Sequence, residues 1–390
     1  MRILWFTYRL PFPVDSGGKV RAYNLIKQVS RNHEIILFSF VREKKELVGL
    51  DELRKYCSHI FTFQRRTLFN PLNFFYATFL PFPAALYYSP PIKNKLASIT
   101  KELNIDLIHL ESFYTGVYLQ NSIRVPIIMG NENVEYQIYQ RRTDLTKPPA
   151  KTILHLDTIR MKKFEEDLWR GARINLAVSE SDAKVIEEVT KKPCYVIPNG
   201  VDIDFFAKTK KQKLESPTVL FVGDFNYIQN QDAVRFLVKE IWPLVSKKIS
   251  NIKLLLVGRN PTREILNLKT PSIEVPSNVE DIRTAYGAAS IFVAPLRVVS
   301  GTQLKILEAA ATGLPIITSP LSIKGLKATQ REILTADTAN DFASKITLLV
   351  KNKSFSDKIG KAAFEFVRTN YSWIDIGKKL EDAYEAATKN

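Results

Sequence analysis

The chain is 390 residues long, 45% hydrophobic and 25% charged, with a formal net charge of +16 at pH 7. That length exceeds what one hydrophobic core usually covers, so two domains are expected, and the composition is that of a globular protein, not a disordered or fibrous one. No run reaches the roughly 18 to 20 apolar residues that span a bilayer, the cysteines (Cys57, Cys194) and histidines (His33, His59, His109, His155) show no metal or redox spacing, and no recognised nucleic-acid module accompanies the basic charge.

In chain order, Arg2 to Thr7 reads as a first β-strand, too short for a secretory signal, so a cytoplasmic location is expected. Gly17-Gly18 leads into a helix over Lys19 to Arg31, with Val20, Leu25, Ile26 and Val29 apolar, and Glu34 to Val41 is a second strand. Between residues 65 and 95, Arg65, Arg66, Lys93 and Lys95 interleave with Phe69, Phe74, Phe75, Tyr76, Phe79, Phe82, Tyr87 and Tyr88. That mixture suits an anionic membrane surface, where rings enter the headgroup layer; it equally suits core rings beside solvated lysines. Further strands follow at Asp106 to Glu111, Val125 to Met129 and Ile174 to Val178, with helices at Thr152 to Gly171 and Glu180 to Thr190. The Pro198-Asn199-Gly200 turn marks a boundary, and the lysine-rich stretch Lys208 to Pro217 reads as a linker.

A second α/β series begins at Thr218 to Val222 and Lys253 to Val257, strands that end at Gly223-Asp224 and Gly258-Arg259, with a helix over Asp232 to Val245 between them. Ile291 to Ala294 and Pro315 to Thr318 continue the sheet. Uninterrupted apolar strands alternating with helices indicate parallel sheets covered on both faces. Between the last two lies Ser300-Gly301-Thr302-Gln303-Leu304-Lys305-Ile306-Leu307-Glu308. A small-residue turn opening into a helix leaves unpaired N–H groups at the positive end of the helix dipole, which suits an anion such as a diphosphate. Lys305 and Glu308, three apart, share a helix face. They could serve a phosphate and sugar hydroxyls, or form an ordinary ion pair.

The order of Gly17-Gly18, Pro198-Asn199-Gly200-Val201-Asp202, Phe221-Val222-Gly223, Val257-Gly258 and Gly301 to Glu308 resembles the family 4 retaining glycosyltransferases of the GT-B fold, over nearly the whole chain. The resemblance implies an α/β architecture of two doubly wound, Rossmann-like domains facing across a cleft. It divides the chain into an acceptor-side domain at 1–200, a nucleotide-sugar domain at 201–370 and a helix at 371–390 that packs back on the first. It also implies a UDP- or GDP-linked sugar as donor, a surface-glycan or lipid-linked acceptor, and no cofactor. Glu308 is similar to the family's ribose-binding carboxylate, and Ser300, Gly301, Thr302, Gln303, Leu304 and Lys305 lie where the diphosphate is held. Gly223, Asp224, Gly258 and Arg259 belong to loops at the donor site, and Gly17 and Gly18 fall where the first domain approaches the phosphates. Lys305 would neutralise the departing diphosphate without a metal.

Three positions depart from the family pattern. Ser300 stands where relatives often carry a first glutamate, the loop Gly223 to Gln231 has no cation, and Glu132, in Gly130-Asn131-Glu132-Asn133-Val134-Glu135, takes the usual histidine position. A carboxylate there can accept a proton or a hydroxyl hydrogen but cannot donate as an imidazole does. Lys305, Glu308 and Glu132 are thus the expected catalytic residues of a peripheral, inner-face enzyme of polysaccharide biosynthesis. The alternatives are a nonhydrolysing sugar-nucleotide epimerase and a silent nucleotide- or glycan-binding protein of the same fold.

Overall fold

A computed structural model describes residues 1–119, 124–144, 146–277, 279–298 and 303–389. The chain forms two compact units, Met1–Pro198 with Trp373–Asn390, and Asn199–Ser372.

The first unit is built on β1 (Arg2–Thr7), β2 (Glu34–Val41), β3 (His59–Gln64), β4 (Leu107–Glu111), β5 (Ile127–Asn131), β6 (Ile174–Ala177) and β7 (Cys194–Val196). Among the described residues these pair in parallel in the order β3-β2-β1-β4-β5-β6-β7. Side chains alternate across a pleated strand, so both faces of a covered sheet must be apolar. In β1, Leu4 and Phe6 pack with Ile36, Phe38 and Tyr118 on one face, while Ile3 and Trp5 pack with Leu25, Ile26 and Leu37 on the other. Trp373, Ile376, Leu380 and Tyr384 of the helix Trp373–Thr388 complete that second core, so the last helix of the chain folds into the first unit.

The second unit holds β8 (Thr218–Asp224), β9 (Lys253–Arg259), β10 (Ile273–Glu274), β11 (Ile291–Ala294), β12 (Ile316–Thr318) and β13 (Leu334–Thr335), parallel in the order β10-β9-β8-β11-β12-β13. Strand order reverses between β1 and β4 in the first sheet and between β8 and β11 in the second. Such reversals open a crevice at the carboxyl ends of the strands, where open α/β sheets bind ligands.

Two expectations about this unit change. The stretch Lys208 to Pro217 is not a linker: the break falls at Pro198/Asn199, and Gln212 N–H donates to Gly287 O at 3.0 Å within the second unit. Its lysines gave it a solvated composition, but backbone pairing holds it to the helix Ile282–Gly287. The helix expected from Asp232 starts at Ile228 and runs to Ser246 through a π-helical turn at Leu237–Ile241. Pro243 has no N–H to give the preceding turn, a common cause of such local widening.

Candidate functional site

In the second unit, β8 and β9 run side by side with Gly223 opposite Gly258 and Asp224 opposite Arg259. A Cβ at Gly223 would stand 2.9 Å from the Asn230 side-chain carbon, so the missing side chain there makes room for the Asn230 amide. That amide donates to Asp224 O at 2.7 Å and, through Oδ1, accepts from Lys305 Nζ at 2.5 Å. The Lys305 ammonium also lies 4.9 Å from the centre of the Phe221 ring. The Asp224 carboxylate receives Arg259 at 3.4 Å and Asn260 at 3.2 Å. Gly223, Asp224, Gly258, Arg259 and Lys305, which sequence spacing scatters over eighty residues, therefore meet at the carboxyl ends of β8 and β9, with Asn230 joining Asp224 to Lys305.

The helix Leu304–Ala311 follows, with Gln303 at its N-cap. Its first N–H groups, from Leu304 onward, have no partner within the helix. Ser300, Gly301 and Thr302 lie outside the described residues. Glu308 sits one turn further in and accepts the hydroxyl of the fully buried Tyr286 at 2.8 Å. Lys305 and Glu308 thus bond to different neighbours instead of to each other. Burial pulls Lys305 down to about 8, with the Glu308 charge opposing the shift. Burial raises Glu308, against the Tyr286 hydrogen bond and the Lys305 charge.

Glu132 belongs to the first unit, in the loop after β5. Tyr8 donates to its Oε2 at 3.0 Å. Gly17 and Gly18 open the helix Gly17–Val29, and a Cβ on Gly18 would come within 2.8 Å of Glu132 Oε2 and of the Tyr8 hydroxyl. Gly18 is therefore the space into which the Glu132 carboxylate fits. The helix after Glu132, Glu135–Asp144, is capped by Glu165, whose oxygens accept from the N–H groups of Glu135 and Tyr136 at 2.9 Å each. Burial, then the Glu111 charge, pushes Glu132 up to about 7.

Glu111 ends β4 beside it, fully buried, in contact with His109 Nε2 at 3.1 Å, Trp5 Nε1 at 3.2 Å and Arg21 Nε at 3.4 Å. Burial favours its protonation, but His109 and Arg21 outweigh this and hold it below the usual carboxylate range. Among the described residues no group of His, Cys, Asp or Glu is placed to hold a metal ion.

Sequence reasoning missed Asn230, Tyr286, Tyr8 and Glu111. Asn230 lay inside the stretch Gly223 to Gln231 that was read only for its lack of cations, and it stands in the first turn of the helix Ile228–Phe236, where it meets Gly223 in space. Tyr286 gave no signal, because its link to Glu308 crosses from one helix to another.

Two family profiles match this chain. Residues 16–205 match Glycosyltransferase Family 4, and residues 216–352 match Glycosyl transferases group 1. The chain belongs to glycosyltransferase family 4. Sucrose-phosphate synthase from Thermosynechococcus elongatus is similar in fold, at 16% identity and a TM-score of 0.70 over 99% of each chain. Anabaena HepE, solved with UDP-glucose, is similar at 13% identity and 0.68 over 99% of this chain and 100% of its own. A curated relative, an uncharacterized 44.6 kDa protein in the cps region of Klebsiella pneumoniae, is 23% identical over 386 residues, 93% of this chain and 94% of the relative. This family 4 chain has the GT-B pair of parallel-sheet, Rossmann-like units, as its structural neighbours do.

Proposed function

We propose that this glycosyltransferase moves a sugar, with retention and without a metal, from a nucleoside diphosphate to a glycan or lipid-linked acceptor of a surface polysaccharide, at the inner face of the cytoplasmic membrane. One observation carries the donor assignment: Lys305 and Glu308 are held apart on one helix, by Asn230 and Tyr286, instead of neutralising each other. An ammonium kept from its nearest carboxylate is available to a diphosphate, and a carboxylate with one oxygen engaged has the other for ribose hydroxyls. The UDP-glucose bound by HepE supports a uridine donor, and the cps-region relative supports polysaccharide synthesis.

In this reading the second unit holds the nucleotide and Lys305 offsets the charge that grows on the leaving diphosphate, an effect worth about 3 to 4 kcal/mol. Glu132 accepts a hydrogen from an acceptor hydroxyl, and Gly18 and Tyr8 fix the position of its carboxylate. Alignment of donor and acceptor supplies the larger part, on the order of 7 to 11 kcal/mol.

The test is a panel of UDP- and GDP-sugars incubated with purified protein, with and without glycan acceptors. A transferase hydrolyses its own donor slowly and transfers once an acceptor is added. Isomerisation of the free nucleotide sugar would replace this proposal with the epimerase reading, and inertness towards the whole panel with the silent-binder reading. Glu308→Ala and Lys305→Ala are expected to lower kcat/KM by at least a hundredfold with unchanged circular dichroism. Full activity in either variant refutes the assignment of the donor pocket.

A further inference from the structure

We infer that the first unit carries a subsite for an acidic group on the acceptor, built by Arg9 and Arg65 around a cluster of tyrosine rings. The inference rests on the transferase reading for the word acceptor; the site itself is argued from the first unit alone. Arg9 follows β1 and Arg65 follows β3, so both stand at carboxyl ends of one parallel sheet, as do Tyr114 after β4 and Glu132 after β5. Tyr8-Arg9 and Tyr114 flank the point where strand order reverses, the place where such sheets take ligands.

The rings of Tyr8, Tyr87 and Tyr114 form a closed set, with centres 5.1 Å apart for Tyr8–Tyr114 and Tyr87–Tyr114 and 6.5 Å apart for Tyr8–Tyr87. The Arg9 guanidinium lies 5.5 Å from the Tyr8 centre and that of Arg65 lies 5.8 Å from the Tyr87 centre. Ring contact fixes the two planes but satisfies few of their donors. The Nε of each arginine is shielded from solvent and has no hydrogen-bond acceptor, and Oε1 of Glu132 is shielded and has no donor. Among the described residues neither arginine enters an ion pair, whereas Arg2, Arg54, Arg170, Arg235, Arg297 and Arg368 each do.

Shielded N–H groups without acceptors are rare, and each needs an explanation. Two guanidiniums that the protein leaves without a carboxylate call for an anion from outside, and the guanidinium fork matches a phosphate or a carboxylate equally well. Tyrosine faces suit the apolar face of a pyranose, and the spare oxygen of Glu132 suits a hydroxyl. The ligand chemistry is a sugar bearing an acid.

The test titrates the full chain with methyl glucoside, glucose 6-phosphate and methyl glucuronide by calorimetry, with UDP titrated separately. Tenfold or tighter binding of at least one acidic probe over the neutral one is expected, and which acid wins names the source as phosphate or uronate. Equal binding of acidic and neutral probes, or binding of none, overturns the inference. Arg9→Gln and Arg65→Gln should each reduce the preference severalfold and the pair together should abolish it, while Lys93→Gln, the same loss of charge outside the cluster, should not. A Lys93→Gln effect as large as the arginine effects would make the preference bulk charge and overturn the inference. The wild-type comparison stands even where a variant fails to fold. UDP titration separates the two readings, since lost UDP binding with an intact acid preference sinks the donor assignment alone.

Discussion

Lys305 and Glu132 are ionisable groups that burial moves towards each other, one down to about 8 and the other up to about 7. The assigned roles need Lys305 protonated, to meet diphosphate, and Glu132 ionised, to accept a hydroxyl hydrogen. The ionised fraction of Glu132 grows as pH rises through about 7, and the ammonium fraction of Lys305 shrinks as pH rises through about 8. Transfer should therefore follow a bell, with kcat/KM greatest between those values and falling up to tenfold per pH unit outside them. Lys305→Arg keeps its charge at all these pH values and should flatten the alkaline limb, at a lower rate because the fork differs from an ammonium. Glu132→Gln should collapse the rate and remove the acid limb from what remains. A wild-type profile that is flat from pH 6 to 9 refutes both roles. At this scale the sequence singled out Lys305, Glu308 and Glu132 as candidates because each sits in a run with a recognisable pattern. It could not carry Asn230 or Tyr286, whose importance is a contact through space: Asn230 is 75 positions from the lysine it holds and Tyr286 is 22 from its glutamate.

The closing helix Trp373–Thr388 is tied to the first sheet by polar contacts as well as packing. Tyr384 bonds to His109 Nδ1 at 2.7 Å, His109 stacks on Trp5 with centres 4.1 Å apart, and His109 Nε2 faces Glu111. Every group in this chain is buried, so a missing member leaves another without its partner. Tyr384→Phe keeps the ring and deletes only the hydroxyl. It should cost about 1 to 3 kcal/mol through the orphaned His109 nitrogen, and the melting temperature of a unit this size should fall by about 2 to 4 °C for each of those kcal/mol. Thermal melts followed by circular dichroism measure this, and an unchanged melting temperature would show that the contact contributes nothing. The helix was legible from the stripe Trp373, Ile376, Leu380 and Tyr384, as the strands β1, β2 and β11 were from their apolar runs. The lysine-rich segment after Ala207 misled because side-chain composition reports solvation, while its backbone bond to Gly287 O is independent of side chains. The amino-terminal end of the Ile228 helix was hidden because its first turn inverts the usual pattern, with the apolar Ile228 facing water and the polar Asn230 buried.

For the molecule as a whole, a net charge of +16 and an exposed apolar surface occur together. Phe69, Phe74, Phe75 and Phe79 are each more than half exposed, as are Ile153, Leu156 and Ile159 on the helix Ala150–Gly171. Arg160 donates to the carbonyls of Ala77 and Leu80, and Asp157 accepts from Phe82 N–H, so the aromatic segment and that helix are fastened together in the first unit. The core-ring alternative therefore holds for Tyr87, which is buried, but not for these phenylalanines. Apolar side chains gathered this way on a globular surface usually mark an interaction site. Among the described residues no helix is long and apolar enough to cross a membrane, so contact with lipid would be by surface insertion of rings plus attraction of cations such as Lys147 and Lys151. The two contributions separate by experiment. Each engaged cation adds about 1 kcal/mol on anionic lipid and is screened by salt, whereas ring insertion is indifferent to lipid charge. Co-sedimentation should therefore be tenfold or more stronger with vesicles containing phosphatidylglycerol than with phosphatidylcholine alone, and this difference should shrink at 0.5 M salt. Replacing Phe74, Phe75 and Phe79 together by Ser should weaken binding to both vesicle types by a similar factor. Equal binding to charged and neutral vesicles would remove the electrostatic half of the argument, and binding unaffected by the triple replacement would move the contact away from this face.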